Sequence, residues 1–226
     1  MADETFMPRE SARTVRAVSL GVWCQVAHQL AKHDLHIPGP FDDQAGSFDG
    51  LVGILRGDYE PGPDAIPYDG TTVIGAQTRV IYHHAFRRDA AGVPLIDDRS
   101  KSVCQRQFRI RMAALEKTLA DEGEVVFIRQ GGKLAQPTVS PYLPDSSNLL
   151  SADYDALTDA LDKRFPGLAY RIAIVFFDGL TRAEPSANSR VSLHPMTLPD
   201  EAKLATWEGD DNQWARLMSS LPLVPA

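Results

Sequence analysis

The sequence predicts an α/β fold: a single layered domain whose mostly parallel or mixed sheet is flanked by helices. Short apolar, β-rich runs alternate along the chain with segments of helical periodicity, the pattern of strands joined by crossover helices. The strongest runs, EVVFIRQ and YRIAIVFF, are apolar at consecutive positions, as strands buried on both faces are. At 226 residues, 43% hydrophobic and 23% charged, the chain can bury one sizeable core without staples.

Taken in order, residues 1–13 read as a loose leader ahead of a domain spanning 14–226. TVRAVSLG (14–21) is a buried strand ending in glycine, and CQVAHQLAKH (24–33) a helix with Val26, Ala27 and Leu30 on one side. The Pro- and Gly-bearing stretch after it is a loop, and DGLVGILRG (49–57) a short helix with Asp49 near its start. Residues 59–70 form a Pro/Gly-dense excursion that would rim a site or run over the surface. TTVIG and TRVIYHHAF (71–86) read as two β-runs, which would add an antiparallel portion. Residues 100–121 make the longest helix, with an apolar stripe of Val103, Phe108, Met112, Leu115 and Leu119. The strand EVVFIRQGG, a loop over 137–148, a helix over 151–165 with Ser151 as its N-cap and the strand 170–179 follow. From about 181 the chain is a tail in which Trp207 and Trp214 mark a docking helix. There is no repeat and no low-complexity segment.

Composition excludes some functions. A net charge of −7 disfavours a nucleic-acid backbone as partner. Arg106, Arg109 and Arg111 read as the solvated face of a helix that also carries acids. No run reaches the ~18 apolar residues of a membrane span, and the charged N-terminus has no apolar signal core. Two cysteines make no disulfide framework, so the expected address is the cytoplasm, with both thiols free. No cofactor is expected, the partner is a small-molecule or peptide substrate, and the oligomeric state is not readable.

The chemistry concentrates at SLGVWCQVAHQL (19–30). Gly21 ends a strand, and Cys24 stands at the start of a helix, where unpaired N–H groups and the helix dipole favour a thiolate. In a parallel sheet, groups leaving strand ends meet on one edge. That edge would gather Gly21 and Cys24, Arg129, Asp178 and one of His83 and His84. As neighbours on a strand, His83 and His84 would point to opposite faces, so only one meets Cys24. A thiol and an imidazole so placed can attack an acyl carbon, and nearby N–H groups can hold the oxyanion. Other readings stay open for Cys24: a core thiol, or a metal ligand with His28, His83 or His84 and Asp42. No strong metal-ligand spacing supports the last. Cys104, mid-helix beside the apolar stripe, reads as structural. His28, His33 and His36 read as packing, helix-end and loop residues, and His194 as a loop residue.

Ser19-Leu20-Gly21-x-x-Cys24, Pro40-Phe41-Asp42, His84-x-Phe86, the Arg106–Arg111 helix and Val126-Phe127-Ile128-Arg129 occur in one order over residues 14–130. In these motifs the chain resembles a papain-like cysteine peptidase family, the domain of unknown function 1796. The resemblance implies Cys24 as nucleophile and His84 as general base, with His83 the alternative, and a papain-like α+β fold as the alternative architecture. This chain carries Asp43 where the family pattern has Trp, Ala85 where an acid follows the histidine, and Trp23 before Cys24 instead of a Trp after it. With no acid at 85, Asp42 is the expected orienting carboxylate and Asp178 the second choice. Arg129, Asp178 and Gly21 are the expected substrate-binding positions, Arg129 by its planar fork or else in a pair with an acid. The expected activity is hydrolysis or acyl transfer on an amide or thioester; a non-catalytic scaffold and a metal-binding protein are the alternatives.

Overall fold

A computed structural model of the chain describes residues 15–21, 24–82, 84–131, 148–198 and 208–221. Its central sheet has five parallel strands: β1 (Arg16–Ser19), β2 (His36–Ile37), β7 (Glu124–Gln130), β9 (Ala169–Phe177) and β11 (Val191–Met196). They lie in the order β11-β9-β7-β1-β2, each parallel to its neighbours. Counted along the chain, this is the doubly wound order 2-1-3-4-5, which reverses direction between β1 and β7. The expected α/β class is the one found, with a parallel centre where the α+β alternative would need an antiparallel one. A second sheet is antiparallel and peripheral, built from β3 (Ala45–Gly46), β4 (Ala65–Pro67), β5 (Val73–Gly75) and β6 (Val80–Ile81) in the order β3-β6-β5-β4. Two short parallel strands, β8 (Asn148–Leu149) and β10 (Arg182–Ala183), pair alone.

The helices cover both faces of the central sheet. α1 (Cys24–Lys32) packs on one face, where Val26 and Leu30 meet Ala17, Val126 and Ile128. α2 (Phe48–Arg56), α3 (Asp98–Leu119) and α4 (Ser151–Arg164) share a core with Val125 and Phe127 on the other. Consecutive residues of β7 thus enter opposite cores, which explains its unbroken apolar run. α3 buries Cys104, Phe108, Met112, Leu115 and Leu119, steps of three and four that form one stripe. Asp97 caps it, accepting from the Ser100 N–H while the Ser100 hydroxyl accepts from the Asp97 N–H. At α4 the capping residue is Leu150, and Asp153 accepts its N–H, so the expected N-cap Ser151 is already the first helical residue.

Two expectations are corrected. The run TRVIYHHAF yields only β6: its strand ends where Tyr82 turns into the core, its hydroxyl donating to Asp64 at 2.9 Å and its ring meeting Phe86 edge-on. His84 therefore sits in a bend, and strand alternation does not govern it; His83 lies outside the described residues. The tail from 181 is not only a docking helix. Its segment Val191–Met196 is β11, carrying His194 and Pro195 at the sheet edge, where a missing N–H is tolerated. The docking helix is α5 (Asp211–Ser220), whose Trp214 is fully buried against the α1 face; Trp207, the leader and most of the 137–148 loop fall outside the described residues. α5 also grips α1, since Gln29 donates to Glu208 O and Asp211, and Lys32 pairs with Asp211 at 2.6 Å. Among the described residues no helix is long and apolar enough to cross a membrane.

Candidate active site

The carboxyl end of β1 is closed by a tight, buried turn. Leu20 N–H donates to Ile128 O at 2.9 Å, and Gly21 N–H donates to the Ser19 hydroxyl at 3.2 Å. Gly21 has φ +75°, and a Cβ there would lie 2.8 Å from Gln44 O and 3.1 Å from Phe41 O. Only glycine satisfies both the backbone and the space. Gly21 is thus a buried structural pivot, and α1 opens at Cys24 three residues on. The thiol therefore leaves the sheet beside the β1/β7 reversal, where open α/β sheets bind ligands.

Cys24 is half-buried and lines an open depression of about 410 Å³ with His28, His36, Asp42, Asp43 and Arg111. His84, exposed in its bend, lines a smaller one of about 110 Å³ with Gln44, Tyr82 and Cys104. Asp43 and Arg111 line both, and Arg111 donates to Asp43 at 2.9 Å. The ion pair is common to the linings of the two depressions.

Burial pushes the Cys24 thiol above its ordinary value. Its own backbone N–H pulls the other way, and the Asp43 carboxylate adds to the rise. The helix N-terminus acts in the expected direction but is outweighed, so the expected lowered thiol is corrected to a raised one. Cys104 is deeper still, and burial pushes it up to about 11, as befits the core residue it is.

Other expected positions are also re-assigned. Asp42 faces His36 instead of His84: it accepts the Gly39 N–H at 2.8 Å, and its Oδ1 lies 3.1 Å from His36 Nε2. That last contact is close but lacks hydrogen-bond alignment, leaving both atoms without a bonded partner. Arg129 is 2% exposed and has no acid partner among the described residues. It donates to Leu20 O at 2.7 Å and Gly46 O at 2.6 Å, lies over the Phe48 ring, and burial pulls it down to about 9. It braces the turn after β1 against β3 from a buried position. Asp178 is exposed at the end of β9, two strands from β1, where it accepts its neighbour Gly179 N–H. Among the described residues no three Cys, His, Asp or Glu side chains gather closely enough for a metal.

The sequence reading missed His36, Asp43 and Arg111 as parts of the site. His36 looked like a loop residue because β2 is only two residues long. Arg111 looked solvated, and its side chain is indeed 53% exposed. The available signal was its helix: Arg111 lies one residue before Met112 of the buried stripe, at the margin of the face turned to the sheet.

Comparison with curated proteins and with solved structures returns no match. Residues 15–179 do match a family, from the residue before β1 to the turn after β9, leaving β10, β11 and α5 beyond the matched span. With that much of the chain matched, and with the strand–turn–cysteine–helix unit inside it, this protein belongs to the family described as "Putative papain-like cysteine peptidase (DUF1796)".

Proposed function

We propose that the protein is a cysteine-dependent hydrolase or acyltransferase that acts in the cytoplasm on an amide or thioester of a peptide or small molecule. The observation that carries this reading is the position of Cys24, first residue of α1, beside the sheet reversal and open to a depression. Burial and the Asp43 carboxylate raise the thiol, so a base that takes its proton assists the attack. His84, across the Asp43–Arg111 pair, is that base. It takes the Cys24 proton as sulfur bonds to the carbonyl carbon, and returns it to the leaving group as the acyl bond breaks. Water or another acceptor then releases the acyl group.

p-Nitrophenyl acetate tests this without knowledge of the natural substrate. The expected result is S-acetylation mapped to Cys24 with matching release of p-nitrophenolate, slowed about 100-fold in His84→Ala. Equal rates in the two proteins would remove His84 from the base role. Acetylation no faster than in the unfolded chain would favour a second reading, a binding scaffold with a silent site. That reading draws on the raised thiol and on Ala85 standing beside His84.

A further inference from the structure

We propose that Arg111 is an anion subsite that receives a carboxylate of the acyl substrate, which displaces Asp43 from it. The proposal rests on Cys24 being the nucleophile and names the class of substrate: an acyl donor carrying a free carboxylate close to its reacting carbonyl.

Among the described residues, Arg111 is the one lysine or arginine lining either depression, and it lines both. Among the described residues it spends a single N–H on Asp43, although a guanidinium offers five in a fork that matches a carboxylate two at a time. Arg109, two residues earlier on the same helix, shows the contrast: it meets Glu60 through both Nε and NH2, and its fork is full. The Arg111–Asp43 pair is half-exposed on both sides, 53% and 50%, so its present partner holds it by little. Asp42, the other carboxylate lining the depression, accepts the Gly39 N–H and lies beside His36, and Arg111 pairs with Asp43 instead of with it. A carboxylate arriving from solvent therefore meets an under-used cation on the wall of the depression that holds the thiol.

The test compares two alkylating reagents of the same size, iodoacetate and iodoacetamide, with the modified residue mapped by peptide mass. In each, the sulfur of Cys24 displaces iodide from carbon; only iodoacetate carries the carboxylate. The expected result is an iodoacetate-to-iodoacetamide rate ratio at Cys24 about fivefold above that of free cysteine, as one exposed ion pair allows. The excess disappears in Arg111→Gln and in 1 M salt, and grows in Asp43→Asn, where the competitor is gone. A wild-type ratio equal to that of free cysteine, or one unchanged in Arg111→Gln, overturns the subsite while leaving the nucleophile reading intact. If Cys24 reacts with neither reagent, the nucleophile reading falls, and the subsite is decided by phenylglyoxal labelling of the arginines. Succinate must then protect Arg111 more than the exposed Arg106 on the same helix; equal protection overturns it.

Discussion

The turn that carries Cys24 and the bend that carries His84 are held in opposite ways. The turn is fixed through its backbone: Leu20 is bonded on both its N–H and its carbonyl, and Gly21 is wedged against two loop carbonyls. The bend is fixed through side chains on either side of it, with Tyr82 donating to Asp64 and accepting from Gly62, and Phe86 packed on the Tyr82 ring. His84 itself stands exposed between these hooks. The turn beside Cys24 is thus set by backbone contacts, and the bend at His84 by the side chains that flank it.

The largest expected effect comes from striking the turn at its glycine. Gly21→Ala forces a side chain into φ +75° and into a carbonyl at 2.8 Å. Gly92, in an exposed loop, has φ +82° with nothing within 4 Å of its absent Cβ. Urea unfolding should show a loss of about 3 kcal/mol for Gly21→Ala and about 1 kcal/mol for Gly92→Ala. Similar losses would mean that the turn relaxes as easily as a surface loop, and the contrast with the bend would collapse.

Much of this was legible in the sequence, and what was not has physical causes. Long buried elements announce themselves by periodicity, so α1, α3, α4, β7 and β9 were readable. β2 and β3 are two residues each and owe their existence to neighbours, which no local pattern records. β11 was hidden by its proline and its half-exposed residues, tolerable only because it is an edge strand. At the site, Cys24 was found because a helix start after a strand is a local pattern. The pairing of Asp42 with His36 and of Asp43 with Arg111 depends on how a loop folds over α1 and α3, a tertiary fact.

Arg129 joins the two regions, and removing it is the next effect in size. Its guanidinium binds Leu20 O of the turn and Gly46 O of β3, which belongs to the sheet that leads into the His84 bend. Arg129→Met leaves two buried carbonyls without donors while also removing an uncompensated buried cation. The two changes oppose each other, and the expected net loss is about 2 kcal/mol in urea unfolding. Arg129→Lys recovers only part of it, because one ammonium does not span both carbonyls. A neutral or stabilising Arg129→Met would show that the turn holds without the brace.

The smallest effect sharpens the comparison at the thiol itself. Burial and the Asp43 carboxylate both raise Cys24, so Asp43→Asn lowers its apparent pKa by removing the second cause and leaving the first. Alkylation rate against pH reads the shift directly, since only the thiolate reacts. The sign carries over to stability. A thiol raised in the folded state keeps its proton at pH values where the unfolded chain has lost it, so this contribution is complete below the unfolded value and declines as pH rises through the folded one. In Asp43→Asn that decline should be shallower by less than about 1 kcal/mol, because Asp43 is half-exposed and solvent screens it. Cys104, raised by burial and by Asp64, serves as the internal control: its alkaline contribution, lost between the ordinary thiol value and about 11, should not change. If Cys24 titrates alike with and without Asp43, the carboxylate does not reach the thiol, and burial alone raises it.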